Sequence, residues 1–505
     1  AATRVDENGL VNYAEVIGSE GVDYPSDVAT ATEPFELDIT TNLYTYNKSL
    51  SGTGRLTFGT SIAAEVDQTY KIVIDITISS GNANVAFKSA NSATSLFNYT
   101  DLVDGVNTFY STVTGVNGNV NRLFTSSGST DNNFTLNSVS VKEAVRDNVP
   151  RIDYAGGGCP HILAEPQRTN LIPYSEEISQ YNQSSSTASD NETISPDGTN
   201  NASKISKDGV NANDRVTTII TISNSTDYSL SAFIKNDDVA NGGVSTIGAR
   251  ITGGTVFRQG YEWNGSTLSV TNSSQSGTRT NVLLEDYGNG WWKVGFSFTS
   301  DGTEARLEFD IDRVNGTDTT AIFLWAVQTE AGSYGTSYIP NFGTALGVTR
   351  NQDIFTRDGI GSLINSTEGV LFLEGSTLEN GGGVDRIISL SDGTNNNLIY
   401  IRIDSTASRF RGYARGSSGS YTLITVNSIP QTDNNKIALV WDATNFIIWI
   451  NGSKRSTTTI NNSPVGMNTL NLTDPTGSGN FFGKVKQLQV YKTALTDVQL
   501  EALTT

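Results

Sequence analysis

Apolar and polar residues alternate with a period of two through many short runs, and clusters of Gly, Asn, Asp and Ser separate the runs. An extended chain turns successive side chains to opposite faces, so each run reads as a half-buried strand of an antiparallel sheet. Over residues 70–78, Tyr70, Ile72, Ile74, Ile76 and Ile78 share one face, while Lys71, Asp75 and Thr77 share the other. Residues 290–298 repeat the pattern, with Trp292, Val294, Phe296 and Phe298 inward and Trp291, Lys293 and Ser297 opposite. Ile437, Leu439 and Trp441 alternate in one run and Phe446, Ile448 and Ile450 in the next, so the intervening residues 442–445 read as a hairpin turn. Asn451-Gly452 marks a second tight turn. One helix is signalled, at the C-terminal end: Thr496 caps it, Gln499 completes a capping box, Leu495 staples to Leu500, and Val498, Leu500 and Leu503 form a small apolar face.

The lapses between runs divide the chain into an N-terminal segment (1–24), a first sandwich (25–145), a linking segment (146–170), a second sandwich (171–345) and a third domain (346–505). The fold class is all-β, with three antiparallel β-sandwiches in tandem and one short helix. No repeat of 20–50 residues is evident, which argues against propellers and solenoids.

Composition narrows the chemistry. The 505 residues include one His, one Cys and one Met, against 49 Gly. A histidine-dependent triad, a zinc site or a thiol enzyme needs residues this chain scarcely has, and one cysteine allows no intrachain disulfide. The net charge of −19 repels phosphate backbones and anionic membranes, so no nucleic-acid partner is expected. No apolar run approaches the roughly 18 residues of a membrane helix, so no membrane insertion is expected. The only methionine is Met467, so Ala1 is not an initiator; residues precede it or a leader has been removed.

Several phrases resemble known families. Residues 2–10 (ATRVDENGL), 149–154 (VPRIDY), 163–176 (LAEPQRTNLIPYSE), 195–202 (SPDGTNNA), 325–340 (WAVQTEAGSYGTSYIP) and 348–351 (VTRN) resemble phrases of bacteriophage tail and virion-surface proteins. In such proteins the first two phrases sit close together; here about 140 residues separate them, so the first sandwich looks inserted. Its last strand, residues 134–143, resembles that of carbohydrate-binding-module-like jelly rolls. The third domain resembles the laminin-G/concanavalin-like lectin superfamily through residues 368–373 (EGVLFL), the 441–452 hairpin and residues 483–491 (GKVKQLQVY). Many relatives carry acidic residues in that last phrase; Lys486 and Gln487 stand here, so no metal ligand is carried over.

Carbohydrate modules hold sugars by laying a pyranose on an exposed aromatic ring among amide and carboxylate groups. Trp291, with Tyr287 and Asn289 just before it, fits that pattern on the far face of its strand; the alternative is that a further strand or subunit covers this face. Trp263 lies in an aromatic cluster running into a turn, where core packing competes with sugar contact. Tyr413 and Tyr421 flank the run 416–420 (GSSGS), either a binding loop or a plain hairpin tip. Cys159-Pro-His161 puts the only thiol beside the only imidazole, but Pro160 and the extended chain turn them apart, so a buried linking cysteine is expected rather than a nucleophile and its base. The turns 196–198, 300–302 and 391–393 carry Asp-Gly, and oxygen-rich loops of this kind also suit a structural Ca²⁺.

The expectation is a non-catalytic tail or virion-surface protein, extracellular, without a required cofactor, recognising host cell-surface polysaccharide. Its further partners are other virion or tail proteins and copies of itself, with a trimer among the assemblies that would raise avidity. The alternatives are a structural virion protein without glycan specificity, a secreted bacterial adhesin and a polysaccharide-cleaving enzyme, whose paired carboxylates cannot be counted out of 52 acidic residues.

Overall fold

The computed structural model describes residues 3–22, 24–47, 53–90, 92–113, 116–125, 132–145, 149–155, 159–208, 214–237, 243–271, 277–311 and 320–505. The chain is all-β, and every strand pairing among the described residues is antiparallel. Two compact units form: Ala14–Val149, and a larger one built from Ala1–Tyr13 together with Pro150–Thr505.

In the smaller unit, a five-stranded and a six-stranded sheet enclose one apolar core. The strand Thr69–Ser80 buries Tyr70, Ile72, Ile74 and Ile76 in that core, as the alternation requires, and leaves Lys71 outside to pair with Glu15 at 2.9 Å. The strand Val16–Gly21 pairs with Asn133–Val145, so this unit begins earlier than residue 25 and the 1–24 segment is not a single piece. Entry and exit of the unit therefore lie side by side on one ladder.

The larger unit holds two further sandwiches. The second has two six-stranded sheets, and Val294, Phe296 and Phe298 enter the core between them. The third pairs a seven-stranded sheet with a six-stranded one. Its hairpin turns at 442–445 with Trp441 opposite Phe446, and Asn451 and Gly452, at φ 50° and 71°, supply the left-handed pair that a two-residue hairpin turn needs. The helix Asp497–Thr504 has the expected capping box between Thr496 and Gln499, and Leu500 packs on Val370, Phe372 and Trp449. Val498 does not join the apolar face: it is 76% exposed, since a two-turn helix seats only its inner stripe.

The segment 146–170 is more than a linker. His161–Ala164 pairs with Gly483–Tyr491 and so becomes part of the third sandwich, while Arg168–Asn170 pairs with Val348–Arg350. Such runs are too short to show a period, and an open sheet edge recruits them through backbone hydrogen bonds alone.

Around this segment a buried ion cluster forms. Arg151 donates to Glu165 Oε2 at 2.6 Å, Arg350 donates to the same oxygen at 2.5 Å, and Arg151 also pairs with Asp353. Ser337 donates its hydroxyl to Glu165 at 2.7 Å and accepts from both guanidinium groups at 2.8 Å, and the Thr3 carbonyl accepts from Arg151 at 3.4 Å. Arg151, Glu165 and Arg350 are each at most 3% exposed. Burial works against the Glu165 charge, but the two arginines win and hold its carboxyl down at about 2.

A folded-state value below the unfolded one means stability that is present above about pH 4.5 and lost as pH falls from there towards 2. Replacing Glu165 by Gln should lower stability by about 3 kcal/mol at pH 7. The difference from the parent should shrink through that window, read as urea midpoints of the larger unit's transition. Excising 14–149 and joining Tyr13 to Pro150 through a short Gly/Ser linker should leave that transition in place; its disappearance would contradict the two-unit division.

Candidate functional site

The three strands Leu398–Ile403, Arg409–Arg415 and Tyr421–Asn427 close one side of the third sandwich. Ile399, Ile401, Ile403, Phe410, Ala414, Ile424 and Val426 fill its core. The period of two then sends Tyr400, Arg402, Arg411, Tyr413, Arg415, Tyr421 and Leu423 to the outer face.

Pairing brings these residues into rows. Tyr400 lies opposite Tyr413, which lies opposite Leu423; Arg402 lies opposite Arg411; Arg415 lies opposite Tyr421. Along each strand the rows are about 6.5 Å apart. Tyr400 and Tyr413 stack in parallel with ring centres 4.5 Å apart, and Tyr413 and Tyr421 stack at 5.2 Å and 14°. The result is a ladder of three tyrosines running across the sheet to its edge, where Tyr421 is 57% exposed and Leu423 41%. Burial, and then the neighbouring Tyr413 phenol, raise the Tyr400 phenol above its ordinary value, so that rung stays a neutral hydrogen-bonding group.

Tyr413 and Tyr421, singled out in sequence as flanking the 416–420 run, stack on one another across strands. Tyr400 was missed. Its signal was present in Leu398-Ile-Tyr-Ile-Arg-Ile403, where Tyr400 and Arg402 alternate with core residues.

The other expected site residues are placed differently. Trp291 is 2% exposed: it is buried in an apolar cluster with Val11 of the N-terminal hairpin, Phe233, Trp325 and Tyr338, and its indole N–H donates to the Ile194 carbonyl at 3.0 Å. The far face of this strand is thus part of a buried apolar cluster that a residue of the 1–13 segment joins. Trp263 is core, with its N–H donating to Ser245 Oγ at 2.8 Å. Tyr287 is half-buried, edge-on to Phe233 at 4.8 Å, and Asn289 is exposed on a turn at φ 51°. Cys159 is exposed, contrary to the expected buried thiol, two residues before the strand that begins at His161. His161 is buried, 3.6 Å from Asp153, and burial pushes its imidazole below the ordinary value.

Tyr287 lines a cavity of about 730 Å³ together with Asp6, Glu7, Asp286 and Lys484. Two of its carboxylates already serve the chain: Asp6 accepts from the Asn8 and Leu10 N–H groups, and Asp286 from that of Gly288. The Asp-Gly turns elsewhere do likewise, Asp197 and Asp392 accepting from the N–H of Thr199 and Thr394. Among the described residues no three His, Cys, Asp or Glu side chains come together to hold a metal ion.

Residues 377–501, which include the ladder, match the Laminin_G_3 family model, the concanavalin A-like lectin/glucanases superfamily. No curated protein matches the chain. Among solved structures, the IT-sialidase CBM40 of Ruminococcus gnavus aligns at 17% identity over 30% of this chain and 98% of its own, with a TM-score of 0.26. The CBM22-1–CBM22-2 tandem of Paenibacillus barcinonensis Xyn10C aligns at 11% identity over 64% and 99%, with a TM-score of 0.23. Domains LG4-5 of the mouse laminin α1 chain align at 9% over 56% and 88%, with a TM-score of 0.21. Similarity this slight says nothing about ligand.

Glu176 is a buried carboxyl perturbed upward. Burial pushes it to about 7, against hydrogen bonds donated by Tyr338 (2.7 Å) and Asn201 (2.9 Å). The unfolded chain ionises first as pH rises from about 4.5, so this group costs stability progressively up to pH 7. Glu176→Gln should therefore raise the free energy of urea unfolding at pH 8 by up to about 3 kcal/mol, with no gain at pH 4. An equal gain at both values would refute the assignment.

Proposed function

We propose that this is a non-catalytic polysaccharide-binding protein that attaches to glycans on a host cell surface, with the tyrosine ladder of the third sandwich as its platform. The stack carries this reading: it is half-buried at Tyr400 and Tyr413 and opens to solvent at Tyr421. A pyranose presents the apolar face that would extend it beyond Tyr421. The phenol hydroxyls supply donors and acceptors to the sugar's own hydroxyls. The match of 377–501 to a lectin superfamily model agrees with such a use.

The reading places the protein on a phage tail or virion surface. What supports this is the resemblance of the six phrases given above; four of them, 149–154, 163–176, 325–340 and 348–351, contribute Arg151, Glu165, Ser337 and Arg350 to the buried ion cluster. A single stack gives a weak contact, so several copies acting together are part of the proposal. The chemistry asked of the protein is binding alone, and no cofactor is invoked.

On an array of bacterial surface polysaccharides, the full chain should retain at least one glycan. Tyr421→Ala should weaken that binding about tenfold, the worth of one stacking contact of about 1.4 kcal/mol, while the melting temperature stays unchanged. A wild-type chain that retains no glycan, or a Tyr421→Ala chain that binds as well as wild type, would overturn the reading.

A further inference from the structure

The chain carries 52 acidic residues against 33 Lys and Arg, yet the three strands beneath the ladder hold four arginines, Arg402, Arg409, Arg411 and Arg415, and no Asp or Glu. All four fall on the outer face by alternation, and they bracket the tyrosines. Arg402 and Arg411 occupy the row on one side of Tyr400–Tyr413, and Arg415 lies on the other side, opposite Tyr421.

The carboxylates beside this face do not balance it. Arg402, Arg409 and Arg411 all converge on Asp404, which is fully buried, and Arg402 also reaches Asp385 at 2.7 Å. Asp404 sits at the foot of the cluster, below its ordinary range, with burial opposing and the hydrogen bond from Arg409 leading the pull downward. Arg415 has no carboxylate partner among the described residues, and its Nε lies buried without a hydrogen-bond partner. Four guanidinium groups against two carboxylates leave a local excess of two positive charges, in a chain whose overall charge is −19. Fixed guanidinium forks match carboxylate and sulfate oxygens.

We infer that the ladder binds an anionic polysaccharide, its sugar rings extending the tyrosine stack while carboxylate or sulfate groups meet Arg415 on one side and Arg402 and Arg411 on the other. This rests on the glycan-binding reading and adds the ligand's charge to it.

The test measures binding of the full chain to polygalacturonate, dextran sulfate and uncharged dextran at 25 and 200 mM NaCl. At least one polyanion should bind tenfold or more tighter than dextran and weaken with salt, and which of the two does so separates carboxylate from sulfate recognition. Arg415 is the residue to change, because it shares no carboxylate whose burial would be left uncompensated. Arg415→Gln should weaken polyanion binding about tenfold without altering the melting temperature, and Arg415→Lys should recover part of it. Lys454→Gln, the same charge change outside the ladder, should have no effect. If dextran binds as tightly as both polyanions, or Arg415→Gln changes nothing while Tyr421→Ala does, the charge inference falls and the glycan reading stands. If no glycan of any charge is bound, both fall.

Discussion

Two guanidinium groups and two carboxylates, taken out of water together, set the frame of the larger unit. Glu165 is held between Arg151 and Arg350, and Asp353 closes the cluster on the far side of Arg151. Desolvating such groups costs several kcal/mol each, and their mutual attraction roughly returns it, so the cluster contributes little to net stability. What it supplies is exclusivity. A chain of this composition has many polar strands that could slip or exchange partners, and any arrangement that parts these four groups leaves a buried charge unpaired. Thr3, Arg151, Glu165, Ser337 and Arg350 are scattered over nearly 350 residues and meet at one point.

That fixed frame bears on the ladder. Residues 161–164 extend one sheet of the third sandwich, and the Glu165 carboxylate in the buried cluster follows directly on that strand. The opposing sheet carries the tyrosines on strands whose inner residues are fully packed, so ring positions follow from register and not from loop conformation. A platform set by register is preorganised, and little ordering cost falls on the bound state.

The elements were largely legible in the sequence because alternation, turn chemistry and capping are local. The strand over 70–78, the 442–445 hairpin and the Thr496 cap all depend on neighbours within a few residues. What escaped depends on distance. Alternation says that Trp291 leaves its core, but only the fold shows the buried apolar cluster that Val11 joins on that far face. Phrases around Arg151, Glu165 and Arg350 stand out as phrases, yet nothing local says that both arginines donate to one Glu165 oxygen. Tyr413 and Tyr421 were visible beside a glycine-rich loop; the stack needed the strand pairing that places Tyr400 beneath them.

The route of the chain through its smaller unit has a consequence of its own. The backbone passes from Tyr13 into residues 14–149 and returns at Pro150, while Val5 and Tyr154 hydrogen-bond across the point of departure, with the Val5 N–H on Asp153 and the Tyr154 N–H on the Val5 carbonyl. The larger unit thus closes its own seam whatever lies between, and the entropy of closing an intervening loop grows only slowly with its length. Such a seam is a socket: a different module can be spliced between Tyr13 and Pro150, and the tyrosine ladder at the other end of the sequence need not be rebuilt each time.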